Sequence, residues 1–437
     1  MHSLDALARF RQLLALMAPV LVVGCANVAP SPAGAAASTG ADVASTVLYA
    51  ARVYPAPDTA PVDDALVVWR GRTIVAVGRR GDVAVPAGAR RLEGCDGGTV
   101  MAGFHNNHVH FIGAPWDAEG ARDPAAQAQA LVDTYTKWGF TTVVDLASDR
   151  DSTLALRDRI DRGQLRGPRI LTASWPLFPA HGLPIYIHDL PASLLERMPQ
   201  PATEEAAVRQ VRENLDAGAV ATKLFIVTPQ GQGRVETLPL AIARAAVQAS
   251  HARGAPVFVH PTNFAGAQEA LDAGADVLAH DVFDDGSPWP PELLRRAVDA
   301  HVLMVPTLKL LPSELAKEHV PAAAAAPLVE GAVAHVRAFA DAGGTLMFGT
   351  DVGYMHDPDP TDEYALLARA GLSPMRILAM LTTTPAAFWH ASDRRGRVVA
   401  GLDADLVVLD ADPALAPTNF ARVRCTLREG VAQYPAR

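Results

Sequence analysis

The sequence predicts an α/β fold: a (β/α)8 barrel, or TIM barrel, with a small β-sandwich formed by the N- and C-terminal segments. Short apolar runs alternate with amphipathic or alanine-rich stretches between residues 100 and 395, and this alternation is typical of βα units around a parallel sheet. Eight such runs lie within about 280 residues, which fits a closed barrel. Runs of β pattern around tight turns occupy both ends of the chain.

The predicted elements follow one another along the chain. The N-terminal strands are expected at 47–50, 65–69 and 73–77. The eight barrel runs are 100–104, 141–144, 169–172, 221–226, 257–259, 277–279, 303–307 and 345–348. Helical patterns lie between or after them at 125–138, 203–217, 238–253, 291–300 and 374–384. Residues 401–410 and 423–431 return to β pattern, and they are expected to pair with the first strands in a small sheet.

Composition points to a globular enzyme. Hydrophobic residues make up 49% of the 437-residue chain and charged residues 19%, values that exclude a disordered protein. The formal net charge is −9 and no basic run is present, so nucleic acid is not an expected partner. A small-molecule substrate is expected instead, and a homo-oligomer remains open.

The N-terminus has the pattern of an export signal. Arg9 and Arg11 precede an apolar stretch at 13–23 that ends in Gly24-Cys25, the order of a secretory signal peptide. The stretch also resembles a bacterial lipobox, in which Cys25 would be lipidated; an ordinary signal peptide is the alternative. Residues 1–25 are therefore predicted to be the signal. The protein is then expected in the periplasm or lipid-anchored to the bacterial envelope.

The rest of the chain divides into three predicted parts. Residues 26–45 form a flexible tether, residues 46–100 with 396–437 form the β-sandwich, and residues 101–395 form the barrel. The two cysteines of the folded part, Cys95 and Cys425, lie near its two ends. Either they form a disulfide, as an oxidising compartment would allow, or they are two separate buried thiols.

Polar residues of metal-binding type stand in or at the ends of the barrel runs. His108 and His110 are two residues apart, so on a strand their side chains point to the same side. Four more follow in or at the ends of later runs: Lys223, His260, His280 and Asp351. Active sites of barrels are built at the carboxyl ends of the strands, and the six residues together predict a metal site there.

These residues resemble the motifs of the amidohydrolase superfamily, and of its imidazolonepropionase- and prolidase-like branch in particular. The resemblance rests on His108-Val109-His110, on the strand lysine, on the two later histidines and on Thr350-Asp351. It also covers the lead-in at 101–104 and the return strand at 401–413, and it extends from about residue 46 to residue 431. The sequence departs from the family at Ala102, where proline is usual, and at residues 261–263 after the fifth run, which leaves the substrate class open.

The resemblance implies a role for each residue. His108 and His110, with Asp351, would bind the more buried of two divalent metal ions, expected to be Zn2+. His260 and His280 would hold the second ion, and Lys223 would bridge both as a carbamate. Mn, Fe, Co or Ni would fit similar ligands, and a single metal beside an unmodified lysine is the alternative. Asp351 would take the proton of the attacking water and deliver it to the leaving group.

Substrate contacts are predicted in the loops that follow the strands. The long segment 175–201 contains His181 and Tyr186, and loops of this length are often functional. Arg234 and Lys309 follow later runs, and either could bind a carboxylate, Arg234 better because its guanidinium is a planar fork. For each of these side chains, a solvated loop residue is the alternative.

The predicted function is hydrolysis of a C–N bond in a small amide, such as a dipeptide or an N-acyl amino acid, by water activated at the metal site. One alternative is a lactonase or another esterase on the same site. The other is an exported binding protein without catalytic activity, although the presence of all six site residues weighs against it.

Overall fold

The computed structural model describes residues 44–435. Its strands are β1 Ser45–Val53, β2 Val62–Arg70, β3 Thr73–Arg79, β4 Arg90–Arg91, β5 Thr99–Ala102, β6 Phe104–Val109, β7 Phe140–Asp145, β8 Arg169–Thr172, β9 Thr222–Phe225, β10 Val227–Gly231, β11 Arg234–Thr237, β12 Val257–His260, β13 Val277–Ala279, β14 Leu303–Val305, β15 Leu406–Leu409, β16 Val423–Arg428 and β17 Val431–Tyr434. Its α-helices are α1 Pro124–Thr134, α2 Arg150–Asp161, α3 Ala192–Leu195, α4 Glu204–Ala217, α5 Leu240–His251, α6 Phe264–Ala273, α7 Pro291–Asp299, α8 Leu310–Lys317, α9 Ala322–Asp341, α10 Thr361–Arg369, α11 Pro374–Leu381 and α12 Thr383–Phe388.

One sheet joins the two ends of the described chain. Its strand order is β17-β16-β15-β5-β1-β2-β3, with β4 beside β1, so the N- and C-terminal β runs do pair, as predicted. Buried Leu48, Val67, Val100 and Val408 belong to one apolar cluster on this sheet. A single eight-stranded sheet is described, and the predicted sandwich of two facing layers therefore stays a prediction.

Cys95 and Cys425 form a disulfide across this sheet region, with 5.8 Å between their Cα atoms. The bond links the segment just before β5 to β16. Of the two interpretations that the sequence left open, the structure has the disulfide.

The remaining parallel strands form two sheets, one with the order β6-β7-β8 and the other with the order β14-β13-β12-β9. Strands β7, β9 and β13 are buried along their whole length, as expected for parallel strands that are covered on both faces. The predicted strands between residues 141 and 305 are confirmed, to within one or two residues at their ends. The predicted helices are confirmed as α1, α4, α5, α7 and the pair α11 and α12.

Two predicted barrel runs differ from the structure. The run 100–104 is split: β5 joins the sheet at the chain ends, and β6 is the first strand of the parallel sheets. The split occurs at Gly103, whose backbone NH donates to Asp405 O at 2.8 Å and where a Cβ would lie 2.3 Å from Thr141 Oγ1. The run 345–348 forms no continuous strand: it has an isolated bridge from Met304 to Leu346, and Phe348 O accepts a hydrogen bond from Asn107 N.

The helices begin where the sequence offers capping residues. Thr203 accepts a hydrogen bond from Ala206 N at the start of α4, and Asp149 accepts one from Ser152 N at the start of α2, which satisfies backbone NH groups that the helix leaves free. The buried residues of α4, among them Ala207 and Val211, recur at helical spacing. In the stretch from residue 44 to 435, no helix is long and apolar enough to span a membrane. The predicted signal at 1–25, including Cys25, lies outside the described residues, as does nearly all of the predicted tether.

Candidate metal centre

The six predicted ligands lie at one edge of the parallel sheets. His108 is in β6 and His110 follows it, Lys223 is in β9, and His260 ends β12. His280 comes directly after β13, and Asp351 follows the run 345–348. Because parallel strands end at the same edge of a sheet, residues that are far apart in sequence converge.

Side-chain atoms of three of these residues lie close to one another. Oδ1 of Asp351 lies 2.8 Å from His110 Nε2 and 3.2 Å from His108 Nε2. All three side chains are buried, and one potential ligand atom of each lies within 4.8 Å of the other two. Two imidazoles and a carboxylate with this spacing could hold a metal ion.

The hydrogen bonds of His110 define which ring nitrogen faces the centre. Its Nδ1 lies 2.9 Å from the carbonyl oxygen of Ala147, which can only accept, so Nδ1 carries the proton. Nε2 is then the ring nitrogen that faces Asp351 Oδ1, and it is the atom that could bind a metal ion. His108 Nε2, beside the same carboxylate oxygen, is a third potential ligand atom.

His260 and His280 extend the cluster. The ring centroid of His280 lies 4.4 Å from that of His108 and 4.5 Å from that of His260. His280 Nδ1 lies 2.7 Å from Thr307 Oγ1, and the ring of His260 stacks on Phe225 at 4.7 Å. Burial holds the pKa values of His108, His260 and His280 well below the ordinary value of 6.5. The rings are therefore neutral at pH 7, the form that binds metals.

Lys223 is fully buried beside this cluster. Its Nζ has no hydrogen-bond partner within residues 44–435, and it lies 5.2 Å from the centroid of the Phe225 ring. Burial lowers the pKa of Lys223 from 10.5 to about 7. An amine in this position is costly to keep charged and unpaired.

Residues around the ligands fix the backbone near Asp351. Asn106 Nδ2 donates to Thr350 Oγ1 at 2.7 Å, and its Oδ1 accepts from Thr350 N at 3.2 Å. Gly349 packs so closely that a Cβ there would lie 2.9 Å from His108 Cβ. Asp351 has a φ of 61°, a left-handed conformation that is unusual for a residue other than glycine. The surrounding contacts hold this strained conformation in place.

A cavity of about 720 Å3 opens over the cluster. His108, His110, His260, His280 and Asp351 are among its lining residues, whereas Lys223 is not. The volume falls in the range of sites for small-molecule ligands.

The structure separates the four predicted substrate contacts. Tyr186 lines the cavity, and its hydroxyl has no partner among the described residues. His181 and Arg234 are exposed and do not line it. Lys309 lies outside the lining too: its Nζ is 2.7 Å from Asp357 Oδ2 and also donates to the carbonyl oxygen of Asp359.

Sequence reasoning missed several residues of the site. Asp145 ends β7 and is fully buried; it accepts from Thr172 Oγ1 at 2.5 Å and from Ser148 Oγ. The rule that found the other strand-end residues could have found it. Arg197 and Tyr354 line the cavity from loops, where the sequence has no periodic pattern that would single them out.

Comparison with known proteins gives one family and many similar folds. The family model described as "Amidohydrolase family" matches residues 99–432, and no curated protein sequence matches the chain. A Xaa-Pro dipeptidase with bound methionine superposes with a TM-score of 0.73 at 20% identity, covering 89% of this chain and 99% of its own. A prolidase complexed with N-methylphosphonate-L-proline gives 0.72 at 24% identity, covering 89% and 99%. The ochratoxinase of A. niger gives 0.71 at 19% identity, covering 89% and 95%.

At these identities the structural neighbours establish the fold alone, which is a TIM-barrel-like α/β fold. The family match covers most of the chain and supports a hydrolase with a divalent metal.

Proposed function

We propose that this chain, which belongs to the amidohydrolase family, is a metal-dependent hydrolase that cleaves a C–N bond in a small amide. A dipeptide and an N-acyl amino acid are the simplest examples of such a substrate. The observation that carries the proposal is the position of Asp351 Oδ1, 2.8 Å from His110 Nε2 and 3.2 Å from His108 Nε2, among residues that line a cavity.

The proposal includes the closed barrel and the division of the chain into domains. Backbone hydrogen bonds run from Asn107 N to Phe348 O at 2.8 Å and from Val220 N to Thr172 O at 2.9 Å. The first bond joins β6 to the run 345–348, which is bridged to β14, and the second joins β8 to the residues just before β9. Both edges of one parallel sheet are thus connected to the other sheet, which supports a (β/α)8 barrel in which 345–348 is the eighth strand. The sheet formed by the chain ends would be one layer of the smaller domain. Export and lipid anchoring at Cys25 are part of the same proposal.

The donor set fits two divalent ions, with zinc as the first expectation. His108, His110 and Asp351 would hold one ion, and His260 and His280 the other. Both ring nitrogens of His108 and Nδ1 of His260 lack a hydrogen-bond partner within the described chain, as does Nδ1 of the neighbouring strand residue His105. Divalent ions at such a site lower the pKa of a bound water and polarise a carbonyl group.

Lys223 is proposed to act as a carbamate between the two ions. Its neutral amine would add to CO2 with release of a proton, and the product is an anion with carboxylate-like oxygens. This conversion explains why a fully buried amine without a partner lies beside four imidazoles. If the lysine is unmodified, a single ion bound by the histidines and Asp351 is the alternative.

Asp351 is proposed to move the proton of the reaction. Its carboxylate accepts the proton of the attacking water and transfers it to the nitrogen of the leaving amine. The fixed backbone around Asp351 holds its Oδ1 toward the histidines. Meanwhile Ala147 and Thr307 orient the rings of His110 and His280 through their Nδ1 atoms, as outer partners of metal-binding histidines do.

The test is metal content together with activity on amide and lactone panels. Protein purified without chelator should hold about two ions per chain. Chelation should abolish hydrolysis, and added Zn2+ should restore it. His110→Ala should lose at least one ion, whereas His251→Ala, which changes an exposed histidine on α5, should lose none. Intact mass should include one added CO2 in the wild type and none in Lys223→Met. Protein that binds no metal even when it is added would refute the proposal, and faster lactone hydrolysis would favour the esterase alternative.

A further inference from the structure

We propose that the substrate is a bulky apolar amide with an aromatic group and no free carboxylate. This inference rests on the proposed hydrolase function and narrows it, because it excludes dipeptides and N-acyl amino acids as the preferred substrates.

The wall of the cavity is rich in aromatic and aliphatic side chains. Phe111, Trp175, Phe178, Phe225 and Phe283 line it. Leu310 and Leu311 from α8 add aliphatic surface. Burial of apolar substrate groups against this wall favours binding by about 25 cal/mol per Å2 of apolar surface.

The exposed part of the lining includes an apolar side chain. Ile185 is 49% exposed and still belongs to the lining, so it offers hydrophobic surface to an incoming substrate. Beside it, Tyr186 and Tyr354 lie edge to face, with ring centroids 5.6 Å apart. The unpartnered hydroxyl of Tyr186 is the polar group here that is available to a neutral acceptor such as an amide oxygen.

Cationic side chains that could bind a carboxylate are nearly lacking. Arg197 is the one lysine or arginine among the described lining residues. Its guanidinium is already paired with Asp149 at 2.7 Å and lies 5.1 Å from the centroid of the Trp175 ring. A substrate carboxylate would have to compete with Asp149 for it.

Carboxylates outnumber that arginine in the lining. Asp117, Asp284, Glu314 and Glu318 belong to it as well as Asp149. Glu314 is held by Lys317 at 2.6 Å and by the Tyr354 hydroxyl at 3.1 Å, but Asp284 and Glu318 are exposed. Outside the proposed metal ligands, the lining therefore has more carboxylates than cationic side chains, and this excess of negative charge disfavours a carboxylate on the substrate. The cavity therefore favours neutral substrates over anionic ones.

A matched pair of substrates tests this inference on the full-length metal-loaded protein. N-benzoylphenylalanine and N-benzoylphenethylamine share the acyl group, the scissile bond and the second ring, and they differ in one carboxylate. We expect kcat/KM for the neutral compound to be at least tenfold higher. If neither is cleaved, dissociation constants from calorimetry replace kcat/KM, with the same tenfold expectation.

A kcat/KM for the carboxylate compound that equals or exceeds that for the neutral compound would overturn the inference. The proposed function would still stand in that case, because metal-dependent amide hydrolysis would have been observed. Failure of both compounds to bind would also overturn the inference. The proposed function fails separately, if the metal-loaded protein hydrolyses no amide.

Two variants locate the source of the preference. Ile185→Lys places a cation at the exposed edge of the lining, and it should shift the ratio toward the carboxylate compound by about three- to fivefold, the size of a solvent-exposed ion pair. Ile185→Gln is the matched neutral control and should leave the ratio unchanged. If Arg197→Ala lowers the use of the carboxylate compound alone by tenfold, Arg197 is a carboxylate receptor and the inference is wrong.

Discussion

The hydroxyl of Thr307 is predicted to hold His280 ready for a metal ion. Thr307 Oγ1 donates its one proton to Pro306 O at 2.8 Å, so it can only accept from His280 Nδ1, 2.7 Å away. This fixes the tautomer of His280, because Nδ1 carries the proton and Nε2 keeps its lone pair for a ligand. Thr307→Val replaces the hydroxyl with a methyl group of nearly the same size and leaves the buried Nδ1–H without an acceptor.

The expected cost of Thr307→Val follows from the loss of the hydrogen bond between His280 Nδ1 and Thr307 Oγ1. A buried donor left unsatisfied costs about 1–3 kcal/mol, and loss of an outer partner of a metal-binding histidine typically weakens metal binding about 10–100-fold. We therefore expect the dissociation constant of the weaker ion to rise about 10–100-fold in Thr307→Val. Competition against a chromophoric chelator measures it directly. Thr307→Ser keeps the hydroxyl and should stay within about threefold of wild type. Equal affinities in Thr307→Val and wild type, or an equal loss in both variants, would refute this role.

Three further predictions concern stability and the backbone near the site. Cys95→Ser breaks a crosslink that spans 330 residues and should lower the free energy of unfolding by about 2–5 kcal/mol in urea titrations; an unchanged midpoint would contradict this. Gly353→Ala places a Cβ 2.0 Å from His110 O at a φ of 104°, so metal content and activity should fall at least about tenfold, whereas Gly343→Ala, at a φ of 91° in open space, should keep both. Burial raises the pKa of Glu363 from 4.5 to about 7, so the folded state holds this proton more tightly than the unfolded state does. The protonated Glu363 carboxyl therefore stabilises the folded state, and about 3 kcal/mol of this stabilisation is lost as the pH rises from about 4.5 to 7. Glu363→Gln should remove this loss when the free energies of unfolding at pH 5 and pH 7.5 are compared.

The sequence indicated which polar residues would lie together because strand ends are easy to recognise. A polar residue that interrupts or ends an apolar run marks the carboxyl end of a buried strand, and His260, His280 and Asp351 each follow that rule. Parallel strands end at the same edge of a sheet, and this brings such residues together without any knowledge of distances. Lys223 was predicted in the same way, and the structure places it beside the others.

Contacts between loops could not be predicted in this way. Lys309 carries a charge after a strand, like a substrate-binding residue, but its Nζ lies against Asp357, 48 residues further along the chain. Arg197 comes from a segment with no hydrophobic period, and its partners are Asp149 and Trp175. The break at Gly103 was missed as well, because residues 100–104 form one continuous apolar run in which that glycine is the one turn residue.

Gly103 is the one residue between β5 and β6, and this has a consequence for how the protein matures. Strand β5 pairs with β15, with Met101 opposite Val407, so the chain leading into His108 is anchored by residues that are synthesised about 300 positions later. In a nascent chain that still lacks β15, β5 can pair only with β1, through Thr99 and Val100, so the start of β6 is held by fewer contacts. The histidines of β6 are then expected to reach their final geometry only after the C-terminal segment has been released, and metal loading would follow synthesis.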